Sequence, residues 1–251
     1  MVRILLLLPL LGLAGSNPVE VNETIIGGRD CKPHEAQYQV YVTDGEDRSV
    51  CGGSLLSSSW VLTAAHCDSP CLKVYVNIHD RDVIKHKDVQ PFYVKSKTDP
   101  GYNQKTKVND IMLIKLKKKV PSPKIVKLPT ECRNYPDKAP EGKDLLLSGW
   151  GRLQGENKAK PSKLQCVKIQ KAKCPEGSFV TSDTFCAGTG NQKSSSGDSG
   201  GGLVLTEKNE VYGVVKAGWP SDGLDRLTRS SWLSSHDKCR SKWDTTLDKH
   251  P

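Results

Sequence analysis

Apolar residues fall along this chain in short alternating or clustered runs, parted by polar turns. Residues 38–42 and 50–56 predict the two strands of a hairpin, with Asp44-Gly45-Glu46-Asp47 as the turn between them. Trp60-Val61-Leu62, residues 74–78, Leu203-Val204-Leu205 and residues 211–215 predict further strands. Asp110 lies inside another apolar strand, Asn109-Asp110-Ile111-Met112-Leu113-Ile114. Leu145-Leu146-Leu147-Ser148-Gly149-Trp150-Gly151 opens a second set of strands, after a proline-rich crossing over residues 121–140. Residues 151–160 are polar and predict an exposed loop. Only near the end does the period change: Trp232, His236, Cys239, Trp243 and Leu247 recur at three- and four-residue steps, one face of an amphipathic helix. No internal repeat is visible.

Composition agrees with short strands over long helices. The 251 residues suffice for one large β domain or two small lobes, and 22 glycines with 15 prolines imply many turns. Met1-Val2-Arg3 and the apolar residues 4–13 read as a signal peptide, cleaved near Ala14-Gly15-Ser16. The run is too short for a membrane anchor. A secreted, extracellular or granule-stored protein is therefore expected, and its nine cysteines become a disulfide question. Asn22-Glu23-Thr24 is an acceptor for N-glycosylation. The net charge of +9 fits a solvated surface, or attraction to acidic glycans through residues 115–119 and 168–173. Nucleic acid is not expected, since no aromatic interleaving accompanies the lysines. His79 and His86 match no zinc spacing and read as surface residues, so no metal is expected.

The chemistry gathers at Gly197-Asp198-Ser199-Gly200-Gly201. A serine between glycines suits a nucleophile on a tight turn, whose backbone N–H groups can converge on an oxyanion. Alone, the stretch is an ordinary loop. Leu62-Thr63-Ala64-Ala65-His66-Cys67 adds a histidine base, and the strand holding Asp110 adds a carboxylate. The order His66, Asp110, Ser199, with Ile25-Ile26-Gly27-Gly28 and Ser148-Gly149-Trp150-Gly151, resembles the chymotrypsin/trypsin family of serine proteases. Lys32-Pro33-His34 and Tyr38 are similar to its granzyme and mast-cell protease branch.

The resemblance implies an all-β fold: two antiparallel Greek-key β-barrels over about 25–130 and 131–251, with a C-terminal helix. It implies a serine endopeptidase acting on proteins or peptides, a monomer, without cofactors, open to protease inhibitors. The alternative is an inactive homologue that only binds. His66 would be the base, Asp110 its orienting acid and Ser199 the nucleophile, with Gly197 and Ser199 donating to the oxyanion. Residues 17–24 would be a short pro-segment. Cleavage would free the Ile25 ammonium to pair with Asp198, although Thr24 stands where many relatives carry Arg or Lys. Implied disulfides are Cys51–Cys67, Cys174–Cys186 and Cys31–Cys166; a fourth, Cys132–Cys239, would leave Cys71 over.

Departures from the family pattern cluster on the substrate side. Lys216-Ala217-Gly218 replaces the usual Ser-Trp-Gly, so Lys216 could neutralise Asp110. Lys193 would floor the primary specificity pocket, where trypsins have Asp. Either Lys193 pairs with Asp225 and the pocket takes small or polar residues, or Asp225 points away and Lys193 selects acids. In a third reading Lys193 bends out to solvent and leaves an apolar pocket.

Overall fold

Fourteen short strands account for most of the regular structure among the described residues, with turns between them. The structure, a computed structural model, describes residues 25–86, 89–129, 139–152, 160–176, 180–189, 191–218 and 224–229. The leader, the pro-segment, the glycosylation acceptor, Cys132, Cys239 and the terminal helix lie outside the described residues.

The first barrel contains β2 (Gln39–Thr43), β3 (Ser49–Leu55), β4 (Trp60–Thr63), β5 (Lys73–Tyr75), β6 (Phe92–Thr98) and β7 (Met112–Leu116). It closes in the order β2-β3-β4-β7-β6-β5. The β2–β3 hairpin forms where expected. The Asp44 carboxylate accepts the N–H groups of Glu46 and Arg48, and Asp47 takes the left-handed φ of +61° that the tight turn needs. Val42, Val61, Leu62, Val74, Ile114 and Leu116 fill the interior. Each such side chain contributes about 1.5–3 kcal/mol by leaving water.

The second sheet has eight strands. Its order is β1 (Arg29–Asp30), β9 (Gln165–Ile169), β8 (Leu145–Gly149), β12 (Gly202–Leu205), β13 (Glu210–Gly218), β14 (Asp225–Arg229), β11 (Thr184–Ala187) and β10 (Lys171–Ala172). All its pairings are antiparallel, and together the two sheets make the two-barrel, nearly all-β architecture. Ile25, Leu145, Leu147, Phe185, Leu203 and Leu227 form its core. Two 3₁₀ turns, Ala65–Cys67 and Arg81–His86, are the helical elements among the described residues.

The halves meet along one seam. β1 pairs with β9, and Cys31–Cys166 ties them covalently. Trp150 is buried edge-on against Tyr41, with ring centroids 5.3 Å apart, and donates to the His79 carbonyl. Cys51–Cys67 and Cys174–Cys186 are also bonded, while Cys71 is an exposed free thiol.

Two strand boundaries differ from expectation. β5 stops at Tyr75 rather than running to residue 78, because Asn77 takes a left-handed φ of +56°. Asp110 precedes β7 rather than lying inside a strand. Asn109 adopts a left-handed φ of +61°, and the Ile111 N–H turns back to the Asn109 carbonyl. That kink frees Asp110 from the ladder.

Candidate active site

The turn after β4 presents His66, and its disulfide to Cys51 braces it against β3. Asp110 is 1% exposed and uses both oxygens on this one residue. Oδ1 accepts the His66 backbone N–H at 2.8 Å, and Oδ2 accepts Nδ1–H at 2.8 Å. A carboxylate on Nδ1 fixes the neutral ring with Nε2 as the bare acceptor. The ring is 29% exposed, so Nε2 can reach a proton donor at the surface.

Ser199 sits in the turn leading to β12, half-buried. Its carbonyl accepts the Gly52 N–H at 2.8 Å, and the Gly200 N–H reaches the Val215 carbonyl at 2.8 Å. Both barrels therefore hold this turn. Gly200 has φ +81°, and a Cβ there would lie 2.2 Å from Thr63 Oγ1, so only glycine fits. Gly197 has φ +106°. Among the described residues, the N–H groups of Gly197 and Ser199 have no protein acceptor, and no hydrogen bond joins the Ser199 hydroxyl to His66. Such contacts commonly tighten only when substrate binds.

Asp198 points the other way, into the protein, and is fully buried. It accepts the Gly151 N–H at 2.7 Å and the Ser195 N–H at 2.8 Å. A Cβ at Gly149 or Gly151 would stand 2.1 or 2.3 Å from the carboxylate, so the Ser-Gly-Trp-Gly stretch is the hollow that accepts it. Burial pushes the Asp198 carboxyl up to about 6, against the pull of the two N–H groups and of Lys160. Among the described residues no cation reaches ion-pair distance. Ile25, expected as its partner, is fully buried in the second core.

At the pocket positions, Asp225 does not pair with Lys193. Ser194 takes both of its oxygens, through N–H at 2.7 Å and Oγ–H at 2.6 Å. Burial lifts the Asp225 carboxyl to about 7; Ser194 and Lys193 oppose the shift. Lys193 is half-buried and makes no side-chain hydrogen bond or ion pair among the described residues. Its backbone N–H holds Ile26. Gly218 ends β13 and pairs with Asp225 across the sheet.

Lys216 does not sit on Asp110. Its Nζ donates to Thr181 Oγ1 at 3.1 Å and Thr184 Oγ1 at 3.2 Å. Asp183, 3% exposed, lies beside those hydroxyls and accepts the Asn109 N–H at 2.8 Å. Sequence reasoning missed Asp183, because Thr181-Ser182-Asp183-Thr184 reads as a polar loop and only the tertiary contact marks it.

With this geometry in place, relatives decide the family. The sequence model of the family described as Trypsin matches residues 25–230. This chain belongs to the trypsin family. It is 35% identical over 228 residues to Serine protease 1 of Rattus norvegicus, covering 86% of this chain and 87% of that protein. It is 33% identical over 216 residues to Trypsin of Sus scrofa, covering 80% and 87%. Among solved structures it is similar to mouse neuropsin, a serine protease expressed in the limbic system. The TM-score is 0.71 at 28% identity, covering 82% of this chain and 96% of that one. The trypsin-family chain is thus a serine endopeptidase.

The Cys51, His66 and Cys67 cluster beside the site does not suit a metal. Cys51, His66 and Cys67 lie within ligand distance of one another, but both sulfurs are spent in one disulfide and offer no thiolate.

Proposed function

We propose that the chain hydrolyses peptide bonds in proteins with Ser199 as nucleophile, His66 as general base and acid, and Asp110 as the group that orients His66. The observation carrying this reading is the two-point grip of Asp110 on His66, beside a serine turn held from both barrels. Ser199 Oγ attacks the scissile carbonyl while Nε2 takes its proton. The carbonyl oxygen becomes an oxyanion, received by the N–H groups of Gly197 and Ser199. Nε2 then protonates the departing amine, leaving an acyl-enzyme. Water, deprotonated by the same nitrogen, releases the acid and restores Ser199.

We further propose secretion after loss of residues 1–16, with 25–251 as the protease domain. Removal of residues 17–24 would supply an Ile25 ammonium to a buried carboxylate that no cation among the described residues reaches at ion-pair distance. The granzyme-like residues 32–34 are consistent with granule storage.

For specificity we propose, of the readings that remain, the one in which Asp225 is held by Ser194 and Lys193 stays in the pocket. Lys193 is then the pocket cation, and acidic side chains are preferred over basic ones. Profiling on a peptide library checks this; dominant cleavage after Arg or Lys would sink it, and Lys193→Asp should move preference towards them.

The site itself is tested with an organophosphonate serine probe on protein processed to Ile25. Stoichiometric labelling, lost in Ser199→Ala, is expected. Absence of labelling in folded, processed protein overturns the assignment and leaves a homologue that only binds.

A further inference from the structure

Behind Asp110 lies a cluster of charge that the hydrolytic steps above do not use. Lys216 projects from β13 in one barrel towards the segment that carries Asp110 in the other. Its ammonium rests on the hydroxyls of Thr181 and Thr184. The Thr181 hydroxyl in turn donates to Asp183 Oδ1, and Asp183 Oδ2 receives the Asn109 N–H at 2.8 Å. Asn109 takes the left-handed φ of +61°, and its kink aims Asp110 at His66. A continuous run of hydrogen bonds thus joins Lys216 to the backbone step beside the orienting acid. Lys216 is half-buried, and both Asp183 and Asp110 attract it.

We infer that Lys216 and Asp183 are opposed positioning residues that together set the pH range over which His66 works as a base. This rests on the triad reading of the site. Among the described residues the charged and titratable groups facing Asp110 and His66 are few. Lys216 comes from β13, Asp183 from the lead into β11, and Tyr102 and Lys107 from the loop before Asn109. Lys107 lies 6.0 Å from the Tyr102 ring centroid and repels Lys216. A bare ammonium near Asp110 would draw on the field that stabilises the imidazolium. Asp183 cancels that ammonium, so Asp110 keeps its field for His66. The threonine hydroxyls keep cation and carboxylate apart yet coupled, since each can accept from one and donate to the other.

The two charges therefore have opposite effects, which no shared structural role would produce. The readout is the acidic limb of kcat/KM against pH for processed enzyme. Lys216→Met should move that limb up, on the order of half a pH unit, because the imidazolium loses a repulsive neighbour. Asp183→Asn should move it down by a similar amount, because Lys216 is left uncancelled. The double variant should return near the wild-type profile, and Lys216→Arg should keep it. Limbs that do not move, or that move in the same direction, overturn the inference. If Asp183→Asn fails to fold, Lys216→Met against Lys216→Arg still decides it. Probe labelling of wild-type enzyme separates the two failures. No labelling means the triad reading is wrong, whereas labelling with unmoved limbs means only this inference is wrong.

Discussion

Asp225→Asn should stabilise this protein at neutral pH, although it removes a charge that is fully hydrogen-bonded. The carboxyl has an ordinary value of 3.8 and is raised to about 7 by burial. The difference is about 3 units, and each unit is worth about 1.4 kcal/mol between folded and unfolded states. A raised acid is fully compatible with folding below its unfolded pKa. It then opposes folding increasingly as pH climbs from about 4 to about 7. At pH 8 the ionised carboxylate therefore costs about 4 kcal/mol. Asparagine removes this cost without breaking the contacts. Its Oδ1 can accept the Ser194 N–H, and its Nδ2 can donate to Ser194 Oγ once that hydroxyl turns. The lost attraction to Lys193 is already included, since it lowers the Asp225 value.

Urea unfolding at pH 4 and pH 8 measures the effect, in the uncleaved chain carrying Ser199→Ala to prevent autolysis. The two proteins should be nearly equal at pH 4, and the Asn variant more stable by about 2–4 kcal/mol at pH 8. A gap that does not change with pH, or an Asn variant that is weaker at pH 8, would refute the reasoning.

Other outcomes follow from the same seam. Gly151→Ala places a methyl 2.3 Å from the Asp198 carboxylate, so it should lose more than about 2 kcal/mol in thermal or urea unfolding. An unchanged midpoint would mean that Asp198 moves freely. N-terminal sequencing of active protein should read Ile-Ile-Gly-Gly, and full activity from a chain still carrying residues 17–24 contradicts the activation reading. Trypsin should activate the chain poorly, because Thr24 is not basic.

What could be read from the chain was what local chemistry determines, together with the triad, barrels and disulfides that its resemblance to the family implied. The β2–β3 hairpin announced itself through Asp44-Gly45 between alternating residues, and β12 and β13 through dense apolar runs. The glycines around Ser199 were legible because a nucleophile turn needs them, but the hollow that Gly149 and Gly151 make for Asp198 was not. β9 was hidden in a basic run. Lys168 is the exposed position of an otherwise buried Gln165–Ile169, so the lysines around it looked like surface. β14 was hidden for the opposite reason. Asp225-Arg226-Leu227-Thr228-Arg229 reads as a solvated stretch, and only its pairing with β11 and β13 makes it a strand. β6 alternates but carries lysines and is half-exposed, with Phe92 and Val94 packed inward and Tyr93 out. Sequence position left Lys216 able to neutralise Asp110. The threonines that hold it lie 32 and 35 residues away and carry no motif.

The four buried acids of the described chain are Asp110, Asp183, Asp198 and Asp225, and all lie around this one site. Each is held by backbone: Asp110 by His66 N–H, Asp183 by Asn109, Asp198 by Gly151 and Ser195, and Asp225 by Ser194. Among the described residues none is closed by a lysine or arginine within ion-pair distance. Backbone N–H groups stabilise a carboxylate without neutralising it, so the seam between the barrels keeps a negative field. Cations then enter it with different permanence. Lys216 is fixed beside Asp183, the proton that His66 takes from Ser199 in the proposed steps arrives during turnover, and the proposed cleavage would add the Ile25 ammonium. Leaving a buried carboxylate uncompensated is expensive, and its raised value of about 6 at Asp198 expresses that cost. The strain therefore favours whichever step brings a positive charge to the seam. On this reasoning activation and catalysis draw on one electrostatic arrangement, in which Asp183 offsets the charge of Lys216.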